Sequence, residues 1–181
     1  MISKGFYPQS RWQKNNLHMS VETMPLCVAS KVDRVRIEMP YHAIAYVSTA
    51  VAGLTTEDID RLLIDARARN QLKSVTGVLL YDGLRFFQYL EGPEHGVSKI
   101  YARIQSSALH SQIEELFSAP VNATYFNQWY MACSKTDGSI LQQFCTKEWR
   151  REAPYIAEDH AGESPEVLQK LIEFWNQIHP R

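Results

Sequence analysis

The chain has 181 residues, 45% of them hydrophobic and 22% charged, a globular composition with room for one ordinary domain and its appendages. Its 19 Lys and Arg against 20 Asp and Glu leave a net charge of -1, which argues against a nucleic-acid binder held by phosphate neutralisation. Three cysteines (Cys27, Cys133 and Cys145) show no CxxC spacing, so neither a disulfide framework nor a zinc site is expected, and a reducing cytoplasm is the simplest home.

No stretch approaches the ~20 apolar residues of a membrane span. The N-terminus lacks the apolar core of a signal peptide, so no membrane partner is expected. Residues 1–40 carry little periodic pattern. Only Val32-Asp33-Arg34-Val35-Arg36-Ile37 hints at a short strand, and the segment reads as a flexible extension.

From residue 41 the pattern sharpens. His42 to Ser48 is short and β-rich, a first strand. Gly53 breaks it, and Thr55 with Asp58 three residues on forms a weak capping box. Ile59, Leu62, Leu63 and Ala66 then recur at the spacing of one helix face, with Asn70 at the helix end. Val75 to Tyr81 is a second strand. Asp82-Gly83 makes a tight turn, because such turns need positive φ where glycine is permissive. Leu84 to Glu91 is the third strand, closed by Gly92-Pro93. A second helix carries Val97, Ile100, Tyr101 and Ile104 on one side. Gln112 to Phe117 and Trp129 to Cys133 read as fourth and fifth strands.

The order β-α-β-β-α-β plus one strand predicts an α+β, ferredoxin-like fold, with two helices on one face of a mainly antiparallel sheet. Gly138, Pro154 and Gly162-Glu163-Ser164-Pro165 punctuate the remainder. Ser164 followed by Pro165 is a helix start, and Val167, Leu168, Leu171, Phe174, Trp175 and Ile178 give that helix a broad apolar face. The expected organisation is an extension over 1–40, a domain over 41–134, and a helical extension over 135–181 covering the other sheet face.

That fold hosts many functions, so polar residues must choose among them. Gln88 lies inside the aromatic run Leu84-Arg85-Phe86-Phe87-Gln88-Tyr89-Leu90. Its amide has two donors and two acceptor lone pairs, and left unpaired in a core it would cost roughly 1–3 kcal/mol. Strand alternation puts Tyr46 and Ser48 on one face of their strand and Phe86, Gln88 and Leu90 on one face of theirs. Singly, Tyr46 reads as a core aromatic, Asn70 as a helix cap and Gln88 as a satisfied core amide. Together they suggest a ligand pocket.

Five segments then carry a family resemblance: Ile44-Ala45-Tyr46-Val47-Ser48, Ala66-Arg67-Ala68-Arg69-Asn70, Val75-Thr76-Gly77-Val78-Leu79-Leu80-Tyr81, Phe86-Phe87-Gln88-Tyr89-Leu90-Glu91-Gly92 and Trp129-Tyr130-Met131. Over roughly residues 42–133 the chain resembles the BLUF family, blue-light sensors that hold a flavin between the two helices of a ferredoxin-like sheet. The resemblance implies FAD, or FMN, bound non-covalently. It implies that Tyr46 is the photoactive tyrosine, that Gln88 relays its proton and rearranges, and that Asn70 hydrogen-bonds the ring edge. Ser48, Trp129 and Met131 match residues that pass the change to the last strand.

The resemblance departs at Ser107-Ala108-Leu109-His110, where many relatives carry Asp-x-Arg-His and only His110 stands. Arg69 replaces a histidine found in some relatives. A sensor of this kind needs no substrate turnover. Its expected partners are a downstream signalling protein, which the chain does not identify, and further copies of itself.

Two rival readings share the fold. RNA could stack on Phe87 and Tyr89 on an open sheet face. An acylphosphatase-like hydrolase would need an arginine-bearing loop after the first strand, and Thr49-Ala50-Val51-Ala52-Gly53 has none. The six histidines (His18, His42, His95, His110, His160 and His179) show no metal-ligand spacing. Glu91 and Glu94 read as turn and helix N-terminal carboxylates rather than an acid/base pair.

Overall fold

A computed structural model describes residues 41–133, 138–158 and 166–179. The hinted strand at Val32–Ile37 and the Ser164-Pro165 helix start lie outside the described residues. The elements are β1 (Tyr41–Ala50), α1 (Thr56–Leu72), β2 (Thr76–Tyr81), β3 (Arg85–Gly92), α2 (Glu94–Gln105), β4 (His110–Val121), β5 (Trp129–Cys133), α3 (Ile140–Glu158) and α4 (Glu166–Ile178).

Local chemistry sets several of these boundaries. Thr55 accepts from the Asp58 amide at 3.2 Å while the Asp58 carboxylate accepts from the Thr55 amide at 3.1 Å, the reciprocal capping box. Between β2 and β3 the Asp82 carboxylate accepts from the Leu84 and Arg85 amides at 2.8 and 2.6 Å. Gly83 there takes φ 99°.

The sheet order is β4-β1-β3-β2-β5, the ferredoxin-like order with β5 added beyond β2. The pairings are antiparallel except the last, where β5 runs parallel to β2. Register brings Tyr46 opposite Gln88, Gln88 opposite Leu79, and Leu79 opposite Met131, so these four form one row across the sheet.

Alternation splits the core in two. Ile44, Tyr46, Leu79, Phe86, Leu90 and Met131 pack with Ile59 and Leu63 of α1 and Val97 and Ile100 of α2. Ala45, Leu80, Phe87, Tyr89 and Tyr130 face the opposite way, against Trp149 of α3 and Leu171, Phe174 and Trp175 of α4. Phe87 meets Phe174 edge-on at 5.6 Å between centroids, and the Arg85 guanidinium lies over the Phe174 ring at 5.3 Å. The C-terminal extension therefore covers the face that sequence assigned to it.

Helix α3 is not foreseen in the sequence reading, where Pro154 appears only as punctuation. The helix runs through Pro154. An interior proline costs ~3 kcal/mol. Cys145, Trp149, Ala153 and Ile156 recur on one buried face, and Trp149 is wholly buried among Phe126, Tyr130 and Trp175. Large side chains of this kind each contribute roughly 1.5–3 kcal/mol on burial, enough to offset the break.

Candidate functional site

Helices α1 and α2 pack on the same sheet face and leave a cavity of about 280 Å³ between them. Leu62, Ala66, Leu79, Ile100, Ile104 and Leu109 supply apolar wall. Asn70, Gln88 and His110 supply polar atoms, and Arg61, Arg69 and Arg103 add cationic groups, the first two paired with the Asp58 and Asp65 carboxylates that also line it. An apolar slot with a few convergent polar groups is the usual form of a small-molecule site.

Gln88 occupies the floor because β3 presents alternate residues to this face. Its Oε1 accepts a short hydrogen bond from the Tyr46 hydroxyl, and both residues are buried. Tyr46 is itself wholly buried and stands behind Gln88, outside the cavity wall. Burial, with Tyr101 nearby as a second cause, holds its phenol well above the ordinary value, so it keeps its proton. Tyr101 lies 5.7 Å from it between ring centroids.

Asn70 sits in the last turn of α1. Its backbone carbonyl accepts from the Lys73 and Val75 amides, which ties the helix end to β2. Its side chain is 2% exposed, and Nδ2 has no hydrogen-bond partner among the described residues. A buried, unpaired amide at a cavity wall is costly unless something in the cavity accepts from it.

His110 opens β4. Its Nδ1 lies 3.0 Å from Ser48 Oγ, and its ring packs 4.7 Å from Phe86. Burial lowers its pKa to about 4, so the imidazole is neutral near pH 7. Ser48 therefore touches the cavity through His110 rather than directly.

Met131 and Trp129 share the cavity's face of the sheet but do not line the cavity. Met131 lies in the Gln88 row, separated from it by Leu79. Trp129 pairs with Gly77 two residues along the strand pair and borders a second hollow near the end of α1. Of the residues expected at the site, Asn70, Gln88 and His110 line one cavity, Tyr46 and Ser48 back it, and Trp129 and Met131 stand at one remove.

The departures from the family pattern fall on the cavity itself. Ser107, Leu109 and Arg69 all line it, and Arg69 pairs with Asp65 at 3.3 Å. Sequence reading named Leu62, Ala66, Ile100 and Ile104 only as helix stripe; they double as cavity wall. It also placed Glu91 at a turn. Glu91 is instead fully buried in β3, and its Oε1 accepts from the Phe126 amide at 2.6 Å, which anchors the loop leading into β5. Burial pushes its carboxyl up to about 7. Glu94 does begin α2.

The rival RNA surface does not exist in this fold: Phe87 and Tyr89 are 4% and 0% exposed beneath the C-terminal helices.

The donor set fits a flavin. A planar ring system would fit between the apolar helix walls, where acceptors on its edge could meet the unpaired Asn70 Nδ2 and the Gln88 amide, and the arginines nearby would suit a phosphate. Comparison with known proteins agrees. A family model described as BLUF, sensors of blue light using FAD, matches residues 41–132. The photoactivated adenylate cyclase subunit alpha of Euglena gracilis is 33% identical over 141 residues, covering 71% of this chain and 14% of that protein. The blue light- and temperature-regulated antirepressor BluF of Escherichia coli is 45% identical over 58 residues, covering 32% of this chain and 14% of that protein. The chain thus spans only a small part of the length of these curated relatives. Among solved structures, the dark-state structure of BlrB, a BLUF protein, superposes with a TM-score of 0.53 at 27% identity, covering 76% of this chain and 96% of that one. No described helix is long and apolar enough to cross a membrane. With its sheet order, its cavity and these matches, the chain belongs to the BLUF family of flavin-based blue-light sensors.

Proposed function

We propose that residues 41–134 are a photosensor that binds FAD non-covalently between α1 and α2, with FMN as the alternative, and that Tyr46 and Gln88 are its switch. The observation that carries this reading is the buried Tyr46–Gln88 hydrogen bond ending at the cavity floor. When bound, a flavin supplies absorption of blue light and, once excited, a strong oxidant.

The rest is the work of this chain's residues. Tyr46 is an oxidisable phenol whose proton already points at Gln88 Oε1. Loss of an electron from Tyr46 makes that proton strongly acidic, and Gln88 is placed to take it. An amide donates on one side and accepts on the other, so Gln88 can exchange those roles and present a changed pattern to the cavity. Asn70 Nδ2 holds the ring edge, and His110, neutral and tied to Ser48, fixes the wall beside it. No net turnover is needed, so we read the chain as a sensor and not an enzyme.

Met131 and Trp129 on β5 lie where a change at Gln88 would next be felt. Met131 shares its row, and β5 leads to α3, where Thr146 Oγ1 accepts from the Cys133 amide at 3.1 Å. Residues 135–181 then serve as cover and output surface, toward a downstream signalling protein or a second copy of the chain, in the cytoplasm. Apolar side chains remain exposed on α3 at Ile140, Phe144 and Tyr155, which supports self-association through that helix.

The test is a visible spectrum of the purified protein before and after blue light. A yellow protein whose band shifts slightly to the red and recovers in darkness is expected, and mass spectrometry of the released cofactor separates FAD from FMN. Gln88→Leu should stay yellow and lose the shift, as should Tyr46→Phe. A colourless protein that neither FAD nor FMN reconstitutes overturns the reading; a normal shift in Gln88→Leu overturns the role of Gln88.

A further inference from the structure

The second hollow has a composition of its own. It measures about 420 Å³ and shares no wall residue with the flavin cavity. Arg67 and Gln71 of α1, Ser74, Val75 and Thr76 at the start of β2, and Asn127, Gln128 and Trp129 at the entry to β5 form its wall.

Three groups in this wall have donor capacity to spare, beside the mixed donors and acceptors of Gln71, Ser74, Thr76 and Gln128. Trp129 is 5% exposed, and its Nε1–H has no partner among the described residues. An indole nitrogen can only donate. Asn127 Oδ1 is occupied by the Tyr130 hydroxyl at 2.7 Å, which leaves its amide nitrogen as the group to offer. Arg67 is the only charged residue in the wall. It donates once to Glu148 at 3.2 Å, and a guanidinium carries five N–H donors.

We propose that this hollow is a binding site for a small oxyanion, a carboxylate or a phosphate, seated between Arg67 and the Trp129 indole. The ligand accepts from Trp129 Nε1, from the Asn127 amide and from Arg67. Charge-assisted bonds to a guanidinium are stronger than neutral ones and set the preference for an anion over a neutral polar molecule. The site abuts β5 two residues from Met131, so its occupancy is felt on the strand that leaves the sensing face.

The test follows the Trp129 indole N–H resonance in isotope-labelled full-length protein, assigned with Trp129→Phe. Inorganic phosphate and succinate are titrated separately against sodium chloride of matched ionic strength. A saturable shift with either anion and none with chloride is expected; the anion that saturates identifies the oxyanion. Arg67→Met should weaken binding by roughly tenfold or more, the effect of one lost charge-assisted hydrogen bond. Glu148→Gln frees Arg67 and should tighten it, which keeps the test decisive if Arg67→Met folds poorly. No saturable shift, an equal shift with chloride, or an affinity unchanged in Glu148→Gln overturns the site and leaves a water-filled hollow. This readout does not use the chromophore, so its failure is separate from a failure of the photosensor reading.

Discussion

Tyr46 and Gln88 owe their partnership to burial as much as to contact. The same hydrogen bond at a wet surface would exchange with water and hold no state. Here burial keeps the phenol protonated and leaves Gln88 Oε1 as its acceptor. His110 shows the same force on a titratable group. Burial moves its pKa from 6.5 down to about 4, so the folded protein resists its protonation. The unfolded chain takes up that proton first as pH falls. The His110 contribution to stability is therefore present above pH 6.5 and is lost as pH falls toward 4. Urea denaturation at pH 7 and pH 5 should show the native chain losing stability relative to His110→Gln on acidification. An imidazole titration near 6.5 in the folded state counts against this account.

Elements meet here at places where only a hydrogen atom fits. Gly77, on β2 between β3 and β5, takes φ 135°, and a Cβ there would come within 2.0 Å of the Tyr89 carbonyl oxygen. Both the strained φ and the backbone contact oppose any side chain. Gly77→Ala should cost at least about 1–3 kcal/mol from backbone strain alone. A thermal melt should show Tm lowered by more than about 5 °C. An unchanged Tm would mean that β2 can shift freely against β3. Helix α3 carries the opposite lesson. It tolerates Pro154 because Trp149 and Ile156 anchor it on either side of that break.

On the scale of the whole molecule the sheet is a partition. One face holds the cavity under α1 and α2, and the other is sealed by α3 and α4. Val167, Leu168, Leu171, Phe174 and Trp175 of α4 are buried, and Ile172 and Ile178 are half-buried against the same core. The large apolar side chains left exposed on this side of the molecule lie on α3, at Ile140, Phe144 and Tyr155. Deleting residues 160–181 uncovers Phe87 and Tyr89 while leaving the cavity face untouched. Light scattering should then show aggregation or a changed oligomer size in a protein that still binds its flavin. A truncated chain that stays soluble at unchanged size, with unchanged light response, counts against α4 as the cover.

By itself the sequence determined the order of elements through β5, the face each strand residue takes and the convergence of Tyr46, Gln88 and Asn70 on one side of the sheet. These rest on local rules: a period of two in strands, one-sided stripes in helices, a capping box at Thr55 and a turn at Asp82-Gly83. The segments of the family pattern are legible for the same reason, since each lies within one element. Helix α3 was not legible past Pro154, because its stability comes from Trp149 packing against Phe126, Tyr130 and Trp175, residues distant in the chain. Glu91 read as a turn residue because its partner, the Phe126 amide, comes from a loop 35 positions away. Strand pairing and register put Trp129 beside Arg67 and Gln71 rather than in the wall of the flavin cavity. Periodicity says which way a side chain points, but which neighbours it meets depends on contacts between segments, and only tertiary packing decides those.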